Sequence, residues 1–438
     1  MRPAARCSRR ASPTPAEGQE RGAGPVTPDP AVDVPERPRP LDGVKVLDLS
    51  RVLSGPFCGR ALADLGADVV KVEPPEGDLT RFSHPRTGGM SLYYAQQNAG
   101  KRNVSLDLRR PEAIDLVLRL ADRSDVLLEN FRPGVMNRMG LGYEAVSARN
   151  PRIVYGSITG YGQTGPWSDR RAYAVVIHAE AGMVDRSVEH RGGAPRHEPF
   201  SHADVYAGLE CLGGVLAALY QRERTGRGQH VDVAMAAALL TVNEHVQADL
   251  SDIDIGDELA SLSPGSAPIL DGPGGRRLTI AGDPCASHTF PTYLRVMGRE
   301  DLATDPRFTD VASRRAHREE LLAEVQRWVD GFATLDEVEE ALGQVRLPMG
   351  VVRSVAEIAG SDWAVARGAV VEVSDRAGGT IRLPDAPWRF SDAEVGVAGD
   401  PSFRGEHNRE VLAELGLAPE DIDRLEADGV LSARVPLR

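Results

Sequence analysis

Three glycines, Gly160, Gly162 and Gly165, have a spacing that can serve phosphate chemistry. The pattern GxGxxG cradles a dinucleotide pyrophosphate when it follows a strand and a helix begins at its end. A strand is predicted here over Arg152–Ile158, but Pro166–Asp169 follows the motif and is typical of a turn. We therefore expect a tightly turned loop, rather than an NAD or FAD site, at the edge where parallel sheets bind ligands.

Two further candidates for chemistry have ordinary structural explanations when taken alone. Cys58 lies in a predicted helix with no histidine nearby in the sequence, so we expect a buried apolar thiol rather than a nucleophile. Asp204 lies at the start of a long amphipathic helix, Ala203–Arg224, where aspartate commonly caps the first turn. The cysteines and histidines are scattered without CxxC or HExxH spacing, so we predict no metal site.

The elements that must position these residues alternate between strand and helix from Leu41 onward. Strands are predicted at Val44–Ser50, Ala67–Glu73, Asn103–Leu108, Asp125–Glu129, Arg152–Ile158 and His230–Ala234, with helices at Phe57–Leu65, from Pro111, and at Ala203–Arg224. Such alternation predicts an α/β fold with a parallel sheet covered by helices on both faces.

The chain divides by composition and pattern. Residues 1–40 are rich in proline and poor in large apolar side chains, so we predict a disordered extension. We expect a large domain over 41–235, a smaller α+β domain with its linker over 236–388, and a segment over 389–438 that returns to the large domain. Within the smaller domain one helix is predicted at Arg314–Trp328, and in the last segment helices at Asn408–Leu415 and Pro419–Ala427.

Composition excludes several classes of protein. The formal net charge of −13 gives no basic footprint for nucleic acid. The longest apolar stretch, Gly213–Tyr220, is far too short for a membrane span, so we expect no membrane partner. Four cysteines in 438 residues suit a reducing compartment, and we expect a cytoplasmic location.

Several segments, taken in order over about 41–420, carry a family resemblance. They are Leu41–Ser50 (LDGVKVLDLS), Leu65–Glu73 (LGADVVKVE), Asn98–Leu106 (NAGKRNVSL), Glu129–Gly134 (ENFRPG), Thr225–Met235 (TGRGQHVDVAM) and Pro387–Phe390 (PWRF). In these segments the chain resembles the class III coenzyme A transferases, the family of formyl-CoA and carnitine CoA transferases and of α-methylacyl-CoA racemase.

The resemblance implies a Rossmann-like large domain, a smaller domain and an interlocked homodimer. It also implies that Asp204, which matches the family's nucleophilic aspartate, attacks an acyl-CoA thioester and later carries the CoA itself, while the helix N-terminus keeps its carboxylate ionised. The implied substrates are an acyl-CoA and a carboxylic acid, with no tightly bound cofactor.

The family's contacts to CoA fall on ten positions of this chain. They are Val52, Leu53, Leu106, Arg109, Asn130, Phe131, Arg138, Met139, Arg171 and Tyr173. The resemblance implies that the arginines hold phosphates and that Leu106, Phe131 and Met139 line an adenine slot. Phe131 and Met139 also fit an ordinary apolar core.

Two departures from the family keep alternatives open. Ala174 follows Tyr173, whereas relatives usually carry an acidic residue at position 174. The racemase branch carries His-Asp at positions 173 and 174. A racemase would therefore need another base here, such as His178 or His202. No glycine run comparable to the family's mobile loop is present, Asp271–Gly275 being the nearest. A 2-methylacyl-CoA racemase and a non-catalytic CoA-binding homologue are therefore the alternatives to a transferase.

Overall fold

The computed structural model describes residues 37–191, 193–244, 246–251 and 264–434. Residues 1–36, most of the predicted disordered extension, lie outside this range. The described residues from Pro38 to Arg434 form one compact unit. Its strands are β1 Lys45–Asp48, β2 Asp68–Glu73, β3 Arg86–Thr87, β4 Met90–Ser91, β5 Arg102–Ser105, β6 Val126–Glu129, β7 Val154–Thr159, β8 His230–Ala234, β9 Ile269–Gly272, β10 Arg276–Ile280, β11 Met349–Val351, β12 Val370–Ser374 and β13 Thr380–Pro384.

The helices connect these strands along the chain. They are α1 Ser54–Asp64, α2 Leu92–Asn98, α3 Pro111–Ala121, α4 Val135–Arg138, α5 Tyr143–Arg149, α6 Ala174–Glu180, α7 Met183–Arg191, α8 His202–Thr225, α9 Met235–Val242, α10 Val246–Ser251, α11 Phe290–Met297, α12 Val311–Ala316, α13 Arg318–Val329, α14 Leu335–Gln344, α15 Val355–Ala359, α16 Asp362–Arg367, α17 Asn408–Glu414 and α18 Pro419–Ala427. Short 3₁₀ turns lie at Leu79–Phe82, Pro264–Ser266, Pro273–Gly275 and Glu300–Thr304.

The main sheet has six parallel strands in the order β5-β2-β1-β6-β7-β8. Starting from β1, the chain adds β2 and β5 on one side of the sheet and then β6, β7 and β8 on the other side. The order in which strands are added therefore reverses between β1 and β6. In open parallel sheets, ligands bind beyond the carboxyl ends of the strands at such a reversal. The predicted α/β class is confirmed.

Helices cover both faces of this sheet because the strands are apolar on both sides. Val46 and Leu128 belong to the apolar cluster that contains residues of α1 and α8. The neighbouring strand residues Leu47 and Leu127 belong to a second cluster with residues of α3 and α17. Successive strand side chains point to opposite faces, so the two clusters lie on opposite sides of the sheet.

The C-terminal segment contacts the first strands of the sheet. The Ser105 backbone N–H donates to Asn408 Oδ1 at 2.9 Å, and Leu106 forms an isolated β-bridge with Leu431. Val411 and Leu412 of α17 are buried in the second cluster. These contacts bring segments from early and late in the sequence onto one sheet. The domain boundaries given above stay predictions.

The predicted helix Arg314–Trp328 is wrong as a single element, because the chain forms α12 and α13 with a break at His317. His317 has φ −112° and ψ 33°, outside the helical region. The Arg314 guanidinium is buried and donates to the carbonyls of Cys285 and Phe308 at 2.6 and 3.0 Å, which fixes the end of α12 in place.

By length and composition, α8 is the one helix among the described residues that could span a membrane. It packs against α1 and β7 in the interior of this chain, and core helices meet the same test. Cys211 of α8 and Cys58 of α1 are both fully buried, and burial beside Cys211 raises the pKa of the Cys58 thiol. Cys58 is thus the buried apolar thiol that the sequence predicted.

Candidate active site

A cavity of about 550 Å³ lies at the carboxyl edge of the sheet, where the strand order reverses. Its walls are the segments that follow β1, β6 and β7, together with the first turns of α8 and α9. Of the residues predicted from the sequence, it is lined by Asp204, Val52, Asn130, Phe131, Arg138, Arg171 and Tyr173. The structure therefore brings together the predicted nucleophile and six of the ten predicted CoA contacts.

Asp204 lies between the N-termini of two helices. It is in the first turn of α8, and its own backbone N–H and that of Ser54, the first residue of α1, favour the charged form of its carboxyl group. The helices approach closely because residue 208 is glycine, whose missing Cβ would lie 2.7 Å from the Ser54 carbonyl oxygen. The sequence did not indicate Ser54, because only the tertiary fold brings α1 to α8.

At the Asp204 carboxyl, the effect of burial on the pKa is larger than the opposing effect of these N–H groups. Loss of water raises its pKa from 3.8 to about 6, although the N–H groups of Ser54 and Asp204 favour the charged form. The sequence-based expectation that the helix N-terminus keeps this group ionised therefore holds only above about pH 6. At neutral pH the group is still mainly a carboxylate, and a partly desolvated one.

The loop that contains Arg51 and Val52 positions Ser54, and hydrogen bonds hold this loop in place. Val52 has a φ of 66°, a left-handed conformation that is rare for a β-branched residue. Its N–H donates to Oδ2 of the buried Asp78 at 3.0 Å. Asn130 accepts from the Arg51 N–H and donates to the Arg51 carbonyl, both at 2.8 Å, so its side-chain amide holds the loop. The strained conformation is thus fixed from two sides.

Glu129, at the end of β6, ties two walls of the cavity together. Its carboxylate accepts from the Phe131 N–H at 2.8 Å and from Gln163 Nε2 at 3.3 Å. Burial raises its pKa to about 7. Gln163 belongs to the loop from Gly160 to Gly165, which is followed by turns rather than a helix, as predicted for a tightly turned loop.

Arginine side chains dominate the charge of the cavity. It is lined by Arg51, Arg132, Arg138, Arg170 and Arg171, against the acidic residues Asp169 and Asp204. The Nε of Arg51 is buried without a hydrogen-bond partner in the described part of the chain. A buried N–H donor of this kind fits an anionic ligand. The family resemblance did not point to Arg51, Arg132 or Arg170 as contacts of CoA.

Four predicted CoA contacts lie outside the cavity walls. Leu53 and Leu106 are buried, Leu106 within the second apolar cluster, against which Met139 also packs. The Arg109 side chain is 73% exposed and pairs with Asp107 at 2.7 Å. Ala174, which replaces the acid of relatives, is buried in the first cluster rather than facing the cavity. Contact of these four positions with CoA stays a prediction.

Comparison with known proteins gives the family. The profile described as CoA-transferase family III matches residues 41–408. Succinyl-CoA–D-citramalate CoA-transferase of Chloroflexus aurantiacus is 34% identical, over 90% of this chain and 98% of that protein. Formyl-CoA:oxalate CoA-transferase of Streptomyces coelicolor is 35% identical, over 89% and 99%. The crystal structure of a CAIB/BAIF family protein from Brucella suis superposes with a TM-score of 0.72 at 32% identity, covering 87% of this chain and 100% of that one. The chain belongs to CoA-transferase family III and is a CoA-transferase.

Proposed function

We propose that this enzyme moves coenzyme A from an acyl-CoA donor to a carboxylic acid acceptor, with Asp204 as the covalent nucleophile. The observation that carries the proposal is the place of the Asp204 carboxylate, which lies in an arginine-lined cavity at the meeting point of two helix N-termini. The relatives named above support the reaction class.

The first half of the reaction uses Asp204 as an oxygen nucleophile. Its carboxylate oxygen attacks the thioester carbonyl carbon of the donor, the C–S bond breaks, and CoA leaves as a thiolate. The donor acyl group is then joined to Asp204 as a mixed anhydride. The thiolate attacks the aspartyl carbonyl carbon, the anhydride C–O bond breaks, and the donor acid leaves as a carboxylate.

The second half reverses these steps with the acceptor. The acceptor carboxylate attacks the aspartyl-CoA thioester, thiolate leaves, and a new anhydride forms. Attack of the thiolate on the acceptor acyl carbon then gives the new acyl-CoA and restores the Asp204 carboxylate. No proton is gained or lost overall, so the enzyme must stabilise moving negative charge. The Ser54 N–H, which favours the charged Asp204 carboxylate, supports the oxygen that becomes anionic in each addition.

The cavity wall suits a polyanionic substrate. CoA carries a pyrophosphate and a ribose phosphate, and five arginines line this cavity. Arg138 and Arg171 are exposed, so their guanidinium groups are accessible to phosphate oxygens. We place the phosphates at these arginines and the thioester at Asp204.

The racemase alternative finds less support in the geometry. It requires a base near Asp204 in place of the missing histidine, and His178 is the buried one of the two candidates, His178 and His202. Its Nε2 already accepts a hydrogen bond from the Ala203 N–H at 3.1 Å, so this nitrogen is not available to take a substrate proton. We therefore propose the transferase reaction. We also propose that the enzyme acts as a homodimer in the cytoplasm.

Substitution of Asp204 tests the mechanism. Asp204→Asn keeps the shape of the side chain and can still cap α8 but removes the nucleophilic carboxylate. We expect transfer between acyl-CoA and acid to fall by several orders of magnitude with near-normal folding. Hydroxylamine added during turnover should trap an acyl group from the wild type and none from the variant, with the adduct of the wild type located by mass spectrometry.

The matched control is Asp185→Asn, which changes an exposed aspartate in the first turn of α7. We expect this variant to keep wild-type transfer. Activity of Asp204→Asn within about tenfold of the wild type, about 1.4 kcal/mol of barrier, would reduce Asp204 to a helix cap and overturn the covalent mechanism.

A further inference from the structure

The first turn of α8 is capped from another helix. Ser201 occupies the N-cap position, but its side chain makes no capping hydrogen bond. Instead, His178 of α6 reaches across, and its Nε2 accepts the Ala203 N–H at 3.1 Å. Ala203 directly precedes Asp204, so the imidazole holds the peptide next to the proposed nucleophile.

The hydrogen bond fixes the chemical form of His178. Because Nε2 accepts from an N–H, it carries no proton, and Nδ1 must carry the proton of the neutral ring. The His178 side chain is 1% exposed, and Nδ1 is buried without a partner among the described residues. If only helix capping were needed, a serine hydroxyl at the N-cap would provide it without leaving a buried N–H donor unpaired. The buried imidazole therefore has a role beyond helix stability.

We propose that His178 is a positioning residue for the reaction, whose neutral imidazole fixes the first turn of α8 so that the Asp204 carboxylate lies against the Ser54 N–H. The proposal rests on the proposed function, because it takes Asp204 as the nucleophile. A positively charged imidazole would turn a second N–H toward the Ala203 N–H and break the hydrogen bond. His178 is thus a second group that must be deprotonated for activity.

The surroundings of His178 favour the neutral ring. Burial lowers its pKa most, His202 and His197 lower it further, and Glu198 opposes them. The His202 ring centroid is 6.0 Å away.

The other packed helices add no competing charge at the ring. On α7, Asp185 is exposed and Arg186 pairs with Asp249 at 3.4 Å. Helix α9 carries no titratable side chain.

Two substitutions at position 178 separate positioning from simple packing. His178→Leu removes the acceptor at similar volume, and we expect kcat to fall about tenfold, the effect of losing one cap, with the KM for acyl-CoA within about twofold. His178→Gln offers an amide oxygen to the Ala203 N–H and does not titrate. We expect it to keep kcat within about threefold of the wild type.

The pH profile provides the readout that a packing role would not change. At pH values below both the pKa of Asp204, about 6, and the lowered pKa of His178, the wild type must deprotonate both groups, so log kcat/KM should approach a slope of two against pH. In His178→Gln only Asp204 titrates, and the slope should fall to one. Ser201→Ala, at the N-cap but without a capping bond, is the matched control and should behave as the wild type.

Two outcomes would overturn the inference. One is a kcat of His178→Leu within about twofold of the wild type. The other is a His178→Gln profile that superimposes on the wild-type profile. If Asp204→Asn also retains transfer, the proposed function itself has failed. If Asp204→Asn is inactive while His178→Leu is normal, only the role of His178 has failed.

Discussion

The half-buried Asp204 carboxylate, which the proposed reaction needs in its charged form, lowers the stability of the folded protein at neutral pH. The folded-state pKa of about 6 lies above the ordinary aspartate value of 3.8, so the folded protein binds this proton more tightly than the unfolded chain does. The resulting stabilisation is fully present below about pH 4 and is lost as the pH rises through 6. At neutral pH the enzyme therefore keeps a desolvated charge that costs free energy of folding.

Replacing this charge should make the protein more stable and inactive. We predict that Asp204→Asn raises the free energy of unfolding by about 1–3 kcal/mol at pH 8, because each pKa unit corresponds to about 1.4 kcal/mol. The gain should shrink below pH 6 and vanish near pH 4. Denaturant unfolding at pH 4, 6 and 8 measures it, with Asp185→Asn as the control. An equal difference at all three pH values would contradict this account.

Among the elements, the contact between α1 and α8 sets the geometry of the site. A Cβ at Gly208 would lie 2.7 Å from the Ser54 carbonyl oxygen and 3.1 Å from the Phe57 ring, whereas a Cβ at Gly213 of the same helix would contact nothing within 4 Å. The two glycines therefore form a matched pair, one at the contact and one outside it.

Substitution of this pair tests whether the helix contact controls catalysis. We predict that Gly208→Ala separates the helices, destabilises the fold by about 1–3 kcal/mol and lowers kcat, because Asp204 moves from the Ser54 N–H. Gly213→Ala should stabilise the protein by about 0.5–1 kcal/mol, since alanine favours the helix, with normal kcat. Unfolding curves and initial rates measure both variants. Normal kcat in Gly208→Ala would mean that the contact does not set the site.

For the whole molecule, apolar side chains remain exposed on the single chain. They include Tyr220, Leu240 and Leu250 near α8 to α10, and Val355, Trp363 and Val365 on α15 and α16. Tyr220 is 62% and Val355 is 83% exposed in this chain alone. Large apolar side chains exposed on these helices are the candidates for burial between two subunits. We predict a stable homodimer with a large apolar interface. Sedimentation that shows a folded monomer at micromolar concentration would refute it.

The sequence predicted those features that local pattern controls. The strand at His230–Ala234 has its predicted bounds, and the helix of Asp204 differs from its prediction by one residue at each end, because apolar periodicity and Gly226 define them locally. Asp204 and Arg138 line one cavity, as the resemblance implied.

The remaining features depend on distant contacts. Ser54 and His178 act on the start of α8 from other helices, and no spacing in the sequence indicates such a meeting. Arg109 turns toward Asp107 at 2.7 Å because an adjacent carboxylate attracts it, which a motif match does not reveal. The break at His317 likewise follows from the buried hydrogen bonds of Arg314.

The closure of the sheet edge by the chain's last segment has a consequence during translation. The Ser105 and Ser432 hydroxyls meet at 2.9 Å although 327 positions separate them. At about 5–20 residues per second, the ribosome needs roughly 16–65 s to make the intervening chain. Throughout that time β5 is a newly made sheet edge without its partner, open to wrong pairing. Folding at this edge must therefore wait until the segment around Ser432 has left the ribosome, and products truncated before this segment would expose the edge.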